Sequence, residues 1–199
     1  MNAISDLRGR GEPRLRFTRR FDKIVELLTH LAEVRPGRTQ YQAVKLFYLA
    51  DKEHFNRHGR PITYEIYYAL DYGPVASTAL DLIKGDATTL RQAHISRLPI
   101  KIEHKGNLYF LSAAERPIDR DVFSKSDLRV FDEIVAKYGD KSFDELYQLT
   151  HRHPAYRNAW DSRPGRSKRS LIYYEDMLDD SPMKEEIIEE LEPISSAIR

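Results

Sequence analysis

Apolar and polar positions along the chain follow two periods, and the switches between them outline the elements. Phe21, Ile24, Val25, Leu28 and Leu31 make one stripe at helical spacing. Thr18 is placed to cap that helix, and Arg35-Pro36-Gly37 stops it. Thr39 is placed to cap a second helix, in which Val44, Phe47, Tyr48 and Asp51 recur at three and four residues. His58-Gly59-Arg60-Pro61 ends it, because glycine favours a left-handed cap and proline cannot continue the helix. The period then drops to two. Ile62, Tyr64, Ile66, Tyr68 and Leu70 alternate with Thr63, Glu65, Tyr67, Ala69 and Asp71, which predicts a strand. Tyr72-Gly73-Pro74-Val75 predicts a turn, with a helix starting near Pro74 or Ser77 and ended by Gly85.

Farther on, Ile100, Ile102 and His104 alternate, as do Leu108 and Phe110, and Lys105-Gly106-Asn107 lies between them as a β-hairpin turn. Ser124 or Ser126 opens a helix through Leu128, Val130, Phe131, Ile134, Val135 and Tyr138, closed by Gly139. Ser142-Phe143-Asp144-Glu145 reads as a capping box for a helix with Phe143, Leu146, Tyr147 and Leu149. Pro154 interrupts the chain, and 155–160 read as another turn of helix. Ser181-Pro182 places a cap before a final helix from Met183 to Leu191. The sum predicts an α+β fold: a mostly α-helical single domain with a small antiparallel sheet or hairpin.

Composition adds three constraints. With 199 residues and 41% hydrophobic content, the chain can bury one core. It has no cysteine, which excludes disulfides, thiolate catalysis and cysteine-ligated zinc. No apolar run approaches the ~20 residues that span a bilayer, and no apolar segment follows the N-terminal arginines, so no membrane partner and a cytoplasmic location are expected. The net charge of +1 hides a strong asymmetry. Arg8, Arg10, Arg14, Arg16, Arg19 and Arg20 face only Asp6 and Glu12, in a Gly- and Pro-containing stretch, 1–17, that predicts a mobile arm. Arg152, Arg157, Arg163, Arg166, Lys168 and Arg169 make a second basic segment. The end of the chain, 181–199, is acidic and is expected as a separate helix or tail beyond a domain at 18–180.

Candidate chemistry is sparse. Asp51, His54 and His58 share a helix face, and His54 and His58 have the i, i+4 spacing of a two-histidine metal site. No third ligand is located in the sequence, so a polar helix face is the favoured explanation of the pair, and no cofactor is expected. Asp51 lies among apolar residues and needs a partner, since an unpaired buried carboxylate is costly. The backbone N–H groups of the turn at 72–75, or Lys45, are the expected partners. Tyr64, Tyr67, Tyr68 and Tyr72 form a tyrosine cluster. Alternation puts Tyr64 and Tyr68 on one strand face and Tyr67 on the other, so one face is expected in the core and the other at the surface. Exposed tyrosines suit protein interfaces or base stacking. No Walker A loop, Gly-x-Gly-x-x-Gly or Gly-x-Ser-x-Gly occurs.

One continuous order of residues goes further. Lys45-Leu46-Phe47-Tyr48-Leu49-Ala50-Asp51, then Gly59-Arg60-Pro61-Ile62, then Tyr72-Gly73-Pro74-Val75 with Ser77, resembles the Panacea domain, the SocA-like antitoxin domain of bacterial and phage toxin–antitoxin pairs. Thr150, His151, Pro154, Ala155 and Trp160 extend the likeness. It is strong over about 20–110, weaker to Trp160 and absent at both ends. Lys45, Asp51, Gly59, Pro61, Tyr72, Gly73, Pro74 and Val75 carry the motif and are expected to be structural.

The resemblance implies a non-enzymatic antitoxin that holds a cognate toxin inactive by direct binding, and in some relatives also delivers it to an ATP-dependent protease. Tyr64, Tyr67, Tyr72, Arg152, Tyr156, Arg157 and Trp160 are the expected grip on that partner. Two rival expectations remain: a DNA-binding autoregulator, from the arginine-rich start, and a small metal-dependent hydrolase built on Asp51, His54 and His58.

Overall fold

The computed structural model describes residues 11–197. Among them are eight α-helices and two three-stranded antiparallel sheets, the mostly helical α+β architecture that the periodicity predicts. Arg8 and Arg10 of the predicted arm lie outside the described residues.

Helix α1 (Phe21–Val34) buries its apolar stripe completely: Ile24, Leu27, Leu28 and Leu31 have no exposed surface. Its start departs from expectation. Thr18 does not cap it; Arg20 occupies that position without a side-chain cap, because its amide donates to the Thr63 carbonyl at 3.0 Å and holds the entering chain extended. A two-residue strand, β1 (Arg38–Thr39), leads into the central helix α2 (Gln40–His58). Thr39 and Gln42 cap α2 reciprocally, as a capping box, and Gly59 closes it in the left-handed conformation, φ 69°.

The predicted strand over 62–70 forms only at its end. β2 (Tyr67–Leu70) pairs with β3 (Gly73–Ala76), Tyr67 opposite Ala76 and Leu70 opposite Gly73. Residues 62–66 are not strand, because the amides of Ile62 and Thr63 are taken by Asp51 and Tyr64 turns the backbone to φ 55°. The far edge of β2 is covered by β6 (Ser170–Leu171). The second sheet has the order β1-β5-β4 and is built on the predicted hairpin, β4 (Ile100–Lys105) and β5 (Leu108–Ala114).

Helices α3 (Ser77–Ile83), α5 (Lys125–Tyr138), α6 (Phe143–His151) and α7 (Pro154–Asp161) fall where the pattern puts them, with Ser124 and Ser142 as caps. Helix α4 (Ala87–Gln92) was not anticipated; Asp86 caps it by accepting from the Thr89 amide at 2.8 Å. The final helix α8 (Lys184–Leu191) begins without a side-chain cap, one residue later than predicted. α2 runs through the middle, packed on α3, α5, α6 and β3. No helix of the described residues is long and apolar enough to cross a membrane.

The charge asymmetry of the two ends resolves within the molecule. Residues 11–17 lie against the body rather than free of it. Glu175 accepts the amides of Arg14 (2.9 Å) and Leu15 (3.4 Å), and the Ser195 hydroxyl accepts that of Arg16 at 3.0 Å. The Arg14 guanidinium bridges Glu192 (2.8 Å) and Glu185, which ties one arginine of the basic arm to the acidic tail, while Arg16 pairs with Glu12 and Arg20 with Asp22. Leu15 is buried beneath, and Phe17 packs edge-on against Tyr174, Phe55 and Tyr64.

Helix α3 begins after Ala76, which offers no cap, and Glu65 supplies one from a distance. Its carboxylate accepts the amides of Ile66 (2.7 Å), Thr78 (3.1 Å) and Ala79 (2.8 Å), a favourable place for a negative charge at a helix start. Glu65 is fully buried, and that burial pushes its carboxyl up to about 7 against the lowering effect of those hydrogen bonds. Above the ordinary glutamic acid range, the folded chain therefore keeps a proton that the unfolded chain has released. Stability falls as pH rises through that window, by on the order of 3 kcal/mol from this residue. Glu65→Gln is expected to be less stable than the native protein throughout, since its NH₂ faces an amide donor. Urea midpoints at about pH 5 and about pH 8 should differ less in the variant than in the native chain.

Candidate functional site

The eight motif residues serve separate junctions along α2 and the β2–β3 hairpin. Asp51 is wholly buried and accepts four hydrogen bonds: from the Ile62 amide (2.8 Å), the Thr63 amide (2.9 Å), the Thr63 hydroxyl and the Tyr67 hydroxyl (2.8 Å). Burial raises its carboxyl above the usual aspartate value, and the same four bonds oppose the shift. The expected partners were different. Asp51 does not reach the turn at 72–75 or Lys45, because the chain after Pro61 folds back onto α2 and its first free amides arrive there.

The predicted turn at 72–75 is confined to Asp71 and Tyr72, because Gly73 to Ala76 pair with β2 as β3, and the start of β3 is held by Lys45. The buried amine donates to the Pro74 carbonyl at 2.7 Å and lies 4.9 Å from the centre of the Tyr41 ring. Burial pushes it well below the ordinary lysine range. Gly73 fits this contact because it has no side chain. At φ 93°, a Cβ there would stand 2.9 Å from the Lys45 amine and 2.9 Å from the Thr150 hydroxyl. His151 completes the junction, donating from Nδ1 to the Tyr147 carbonyl (2.7 Å) and facing the Asp71 carbonyl with Nε2 (3.2 Å). Pro61 and Pro74 are buried, Val75 is half-buried and Gly59 serves the α2 cap. Tyr72 alone among the eight is strongly exposed, at 63%.

The metal candidates do not converge. His54 is buried and donates from Nδ1 to the Arg60 carbonyl at 2.7 Å, while its Nε2 faces Ser126 (3.1 Å) and Asp127 (3.2 Å). His58 is at the surface, its ring 4.5 Å from that of His54 but outside this network. Asp51 is saturated elsewhere. Among the described residues, no three His, Asp or Glu side chains are placed to hold a metal ion. His54 belongs to an ion cluster around Asp127, which also binds Lys23 (2.7 Å) and Arg60 (2.8 Å). Burial favours the neutral Asp127 acid, but the hydrogen bonds from His54 and Lys23 and the Ser124 amide outweigh it and hold the carboxyl far below its usual range.

The residues expected to grip a partner divide by exposure. Tyr64, Tyr67 and Tyr156 are buried, so their rings offer no contact area: Tyr67 is bonded to Asp51, and Tyr156 donates to the Leu70 carbonyl at 2.9 Å. Alternation puts one strand face at the surface, but Tyr64 and Tyr68 are buried as well as Tyr67, because the backbone turns at Tyr64 instead of extending. Tyr72, Arg152 and Arg157 are exposed and Trp160 is half-buried.

Three further aromatic residues, Tyr41, Phe143 and Tyr147, join them in a row. Phe143 lies 4.3 Å from Tyr41, 5.8 Å from Tyr72 and 6.1 Å from Tyr147, centre to centre. The row continues through His151, 3.7 Å from Tyr147, to Tyr156, then to Trp160 with the Arg163 guanidinium 3.8 Å above it. Phe143 is 46% exposed, although its place in a helical stripe with Leu146 and Leu149 reads as core. The signal is the i, i+4, i+8 spacing of Phe143, Tyr147 and His151, a stripe separate from the one that Leu146 and Thr150 bury. On the other flank of α6, Tyr138, Asp144, Gln148, Leu149 and Arg152 line an open hollow of about 390 Å³.

Comparison with known proteins gives one match. The family model described as "Antitoxin SocA-like, Panacea domain" matches residues 44–157, from α2 through the first half of α7. No curated protein and no solved structure matches the chain.

Substitutions separate a structural Asp51 from a chemical one. Asp51→Ala leaves four donors without an acceptor and should cost about 3 kcal/mol or more. In Asp51→Asn the remaining oxygen keeps both amides and the new NH₂ can donate to the Thr63 and Tyr67 hydroxyls, so less than half that loss is expected in urea unfolding. Gly73→Ala adds both a positive-φ strain and a clash with Lys45 and should cost about 2 kcal/mol in the same measurement.

Proposed function

This chain belongs to the Panacea family of SocA-like antitoxins, and on that premise we propose that it neutralises a cognate toxin protein by direct, non-catalytic binding in the cytoplasm. The observation that carries the reading is the family match over residues 44–157, more than half of the chain. The geometry supports it by what it does with the motif. Lys45 bonds the Pro74 carbonyl, Asp51 bonds the residues after Pro61, and Gly73 leaves room for the Lys45 amine, so the motif builds a scaffold and leaves its outer surface for recognition. Neutralisation is then steric: a folded body covers the toxin's working surface without altering it chemically.

Co-expression with the product of the adjacent reading frame tests this. Growth rescue together with a co-purifying complex is the expected result. Rescue with no complex, accompanied by loss of the toxin's transcript or of the toxin protein, would replace direct binding with repression or with delivery to a protease.

A further inference from the structure

We propose that the open edge of β4 is a self-pairing surface: two copies of this chain join β4 to β4, antiparallel, about a two-fold axis at Ile102, and so fuse their three-stranded sheets into one. The inference does not rest on the antitoxin reading.

Bonds elsewhere in the sheet fix which way each residue of β4 turns its main chain. β4 is the edge of the order β1-β5-β4. Tyr109 sends its amide to the Gln40 side chain at 2.7 Å, and the Leu111 carbonyl accepts the Gly37 amide at 2.7 Å, so both turn away from β4. Their opposite residues, His104 and Ile102, are therefore non-hydrogen-bonded pairs, with N–H and C=O directed to the open side. The Pro99 carbonyl accepts the Glu115 amide at 2.9 Å and so points inward, which turns Ile100 outward as well. The one irregularity in this ladder leaves Ser112 of β5 unopposed and does not interrupt the alternation of β4. Among the described residues, nothing bonds to the outward groups of Ile100, Ile102 and His104.

Charge selects a second copy as the occupant. Open edges are commonly defended by lysine, and Lys101 and Lys105 stand exposed on this one. The defence has a gap: Lys101 lies 3.1 Å from Glu103, so one face of the strand carries both signs two residues apart. Outward groups must meet outward groups, so a two-fold axis has to pass through a residue. Through Lys101 it sets lysine on lysine. Through Glu103 it sets glutamate on glutamate and Lys101 on Lys105. Through Ile100 or His104 it runs the ladder off the strand, to Leu98 or to the turn at Gly106. Through Ile102 all three outward residues pair, Ile102 with itself and Ile100 with His104, and Lys101 of each copy falls opposite Glu103 of the other. That pair is of the non-hydrogen-bonded kind, in which side chains stand closest and opposite charges attract. The remaining charges leave this register open. Lys105 falls opposite Pro99, Arg97 is already paired with Glu115, and Lys84 stands on the other side of the sheet from Lys101.

That other side supplies an apolar contact. Ile100, Ile102 and His104 border an open hollow of about 270 Å³ with Leu82, Ile83, Leu90 and Leu98. The axis is perpendicular to the sheet, so the second copy brings its own Ile102 to the same face, beside the first. The contact is small, and the expected association is correspondingly weak and concentration-dependent.

Sedimentation velocity of the full chain across the micromolar range tests this. The native chain should shift from monomer towards dimer as concentration rises. The amides of Ile102 and His104 should gain protection from hydrogen exchange with it, while that of Glu103, turned into the sheet, should not change. His104→Pro deletes an outward N–H that the sheet of a single copy does not use, and should weaken the dimer about 10-fold. Lys101→Glu sets glutamate against Glu103 and should weaken it about 10-fold. Lys101→Glu with Glu103→Lys restores opposite charges across the axis and should recover the native affinity within about threefold. Thermal unfolding checks that each variant folds, and Lys101→Glu, which changes only an exposed side chain, decides the matter if the proline variant does not. A native chain that stays monomeric throughout overturns the proposal. So does a dimer left unchanged by Lys101→Glu or by a folded His104→Pro, or one that the double exchange fails to restore. Growth rescue and toxin binding are scored separately, so either result leaves the antitoxin reading where it stood.

Discussion

The carboxylate of Asp51 fixes the path on which the other elements depend. It sits on α2 and gathers four donors from the fifteen or so residues that follow, which pins the chain after Pro61 against the helix that precedes it. That anchoring sets where β2 starts. β2 in turn places β3 and β6 on its two edges, and its Leu70 carbonyl receives the Tyr156 hydroxyl from α7. The return of β3 to α2 is sealed by the buried amine of Lys45 on Pro74. Two ionisable side chains on one helix, six residues apart, thus hold the two ends of one connection. Neither pairs with the other, and each satisfies backbone groups that burial would otherwise leave unbonded.

This arrangement separates the residues that identify the family from most of those exposed on α6 and α7. The residues that carry the family likeness point inward and do architectural work, with Tyr72 as the exception. The outward side chains of α6 and α7 are held in position by that architecture but are not required by it. One scaffold of this kind can therefore carry different outer surfaces. Substitutions at Phe143 or Arg157 change little that the core needs, whereas a Cβ at Gly73 collides with the amine that closes the fold.

Local signals were the legible ones. Thr39, Ser124 and Ser142 cap helices as their spacing indicates, Gly59 ends α2, and the hairpin at 100–114 follows its alternation. Signals that depend on distant partners were not legible. The five residues after Pro61 alternate like a strand, yet Asp51 claims the amides of Ile62 and Thr63, Glu65 claims that of Ile66, and Tyr64 turns the backbone between them. Glu65 looks like a surface position in that alternation and is a buried cap for α3, thirteen residues away. The candidate site was half readable: Tyr72, Arg152, Arg157 and Trp160 lie at or near the surface, while Tyr64, Tyr67 and Tyr156 entered the core and Phe143 came out of it.

The clasp between residues 14–16 and Glu175, Glu185, Glu192 and Ser195 joins segments 161 to 179 residues apart. Closing so long a loop costs chain entropy that a few surface bonds do not offset alone, so the clasp depends on the body between them being folded first. Once shut, it lays Leu15 and Phe17 over the surface beside Tyr67 and Tyr174. Opening it therefore bares an apolar seam, which makes this contact the place where high salt, by screening Arg14 from its carboxylates, would first expose the interior.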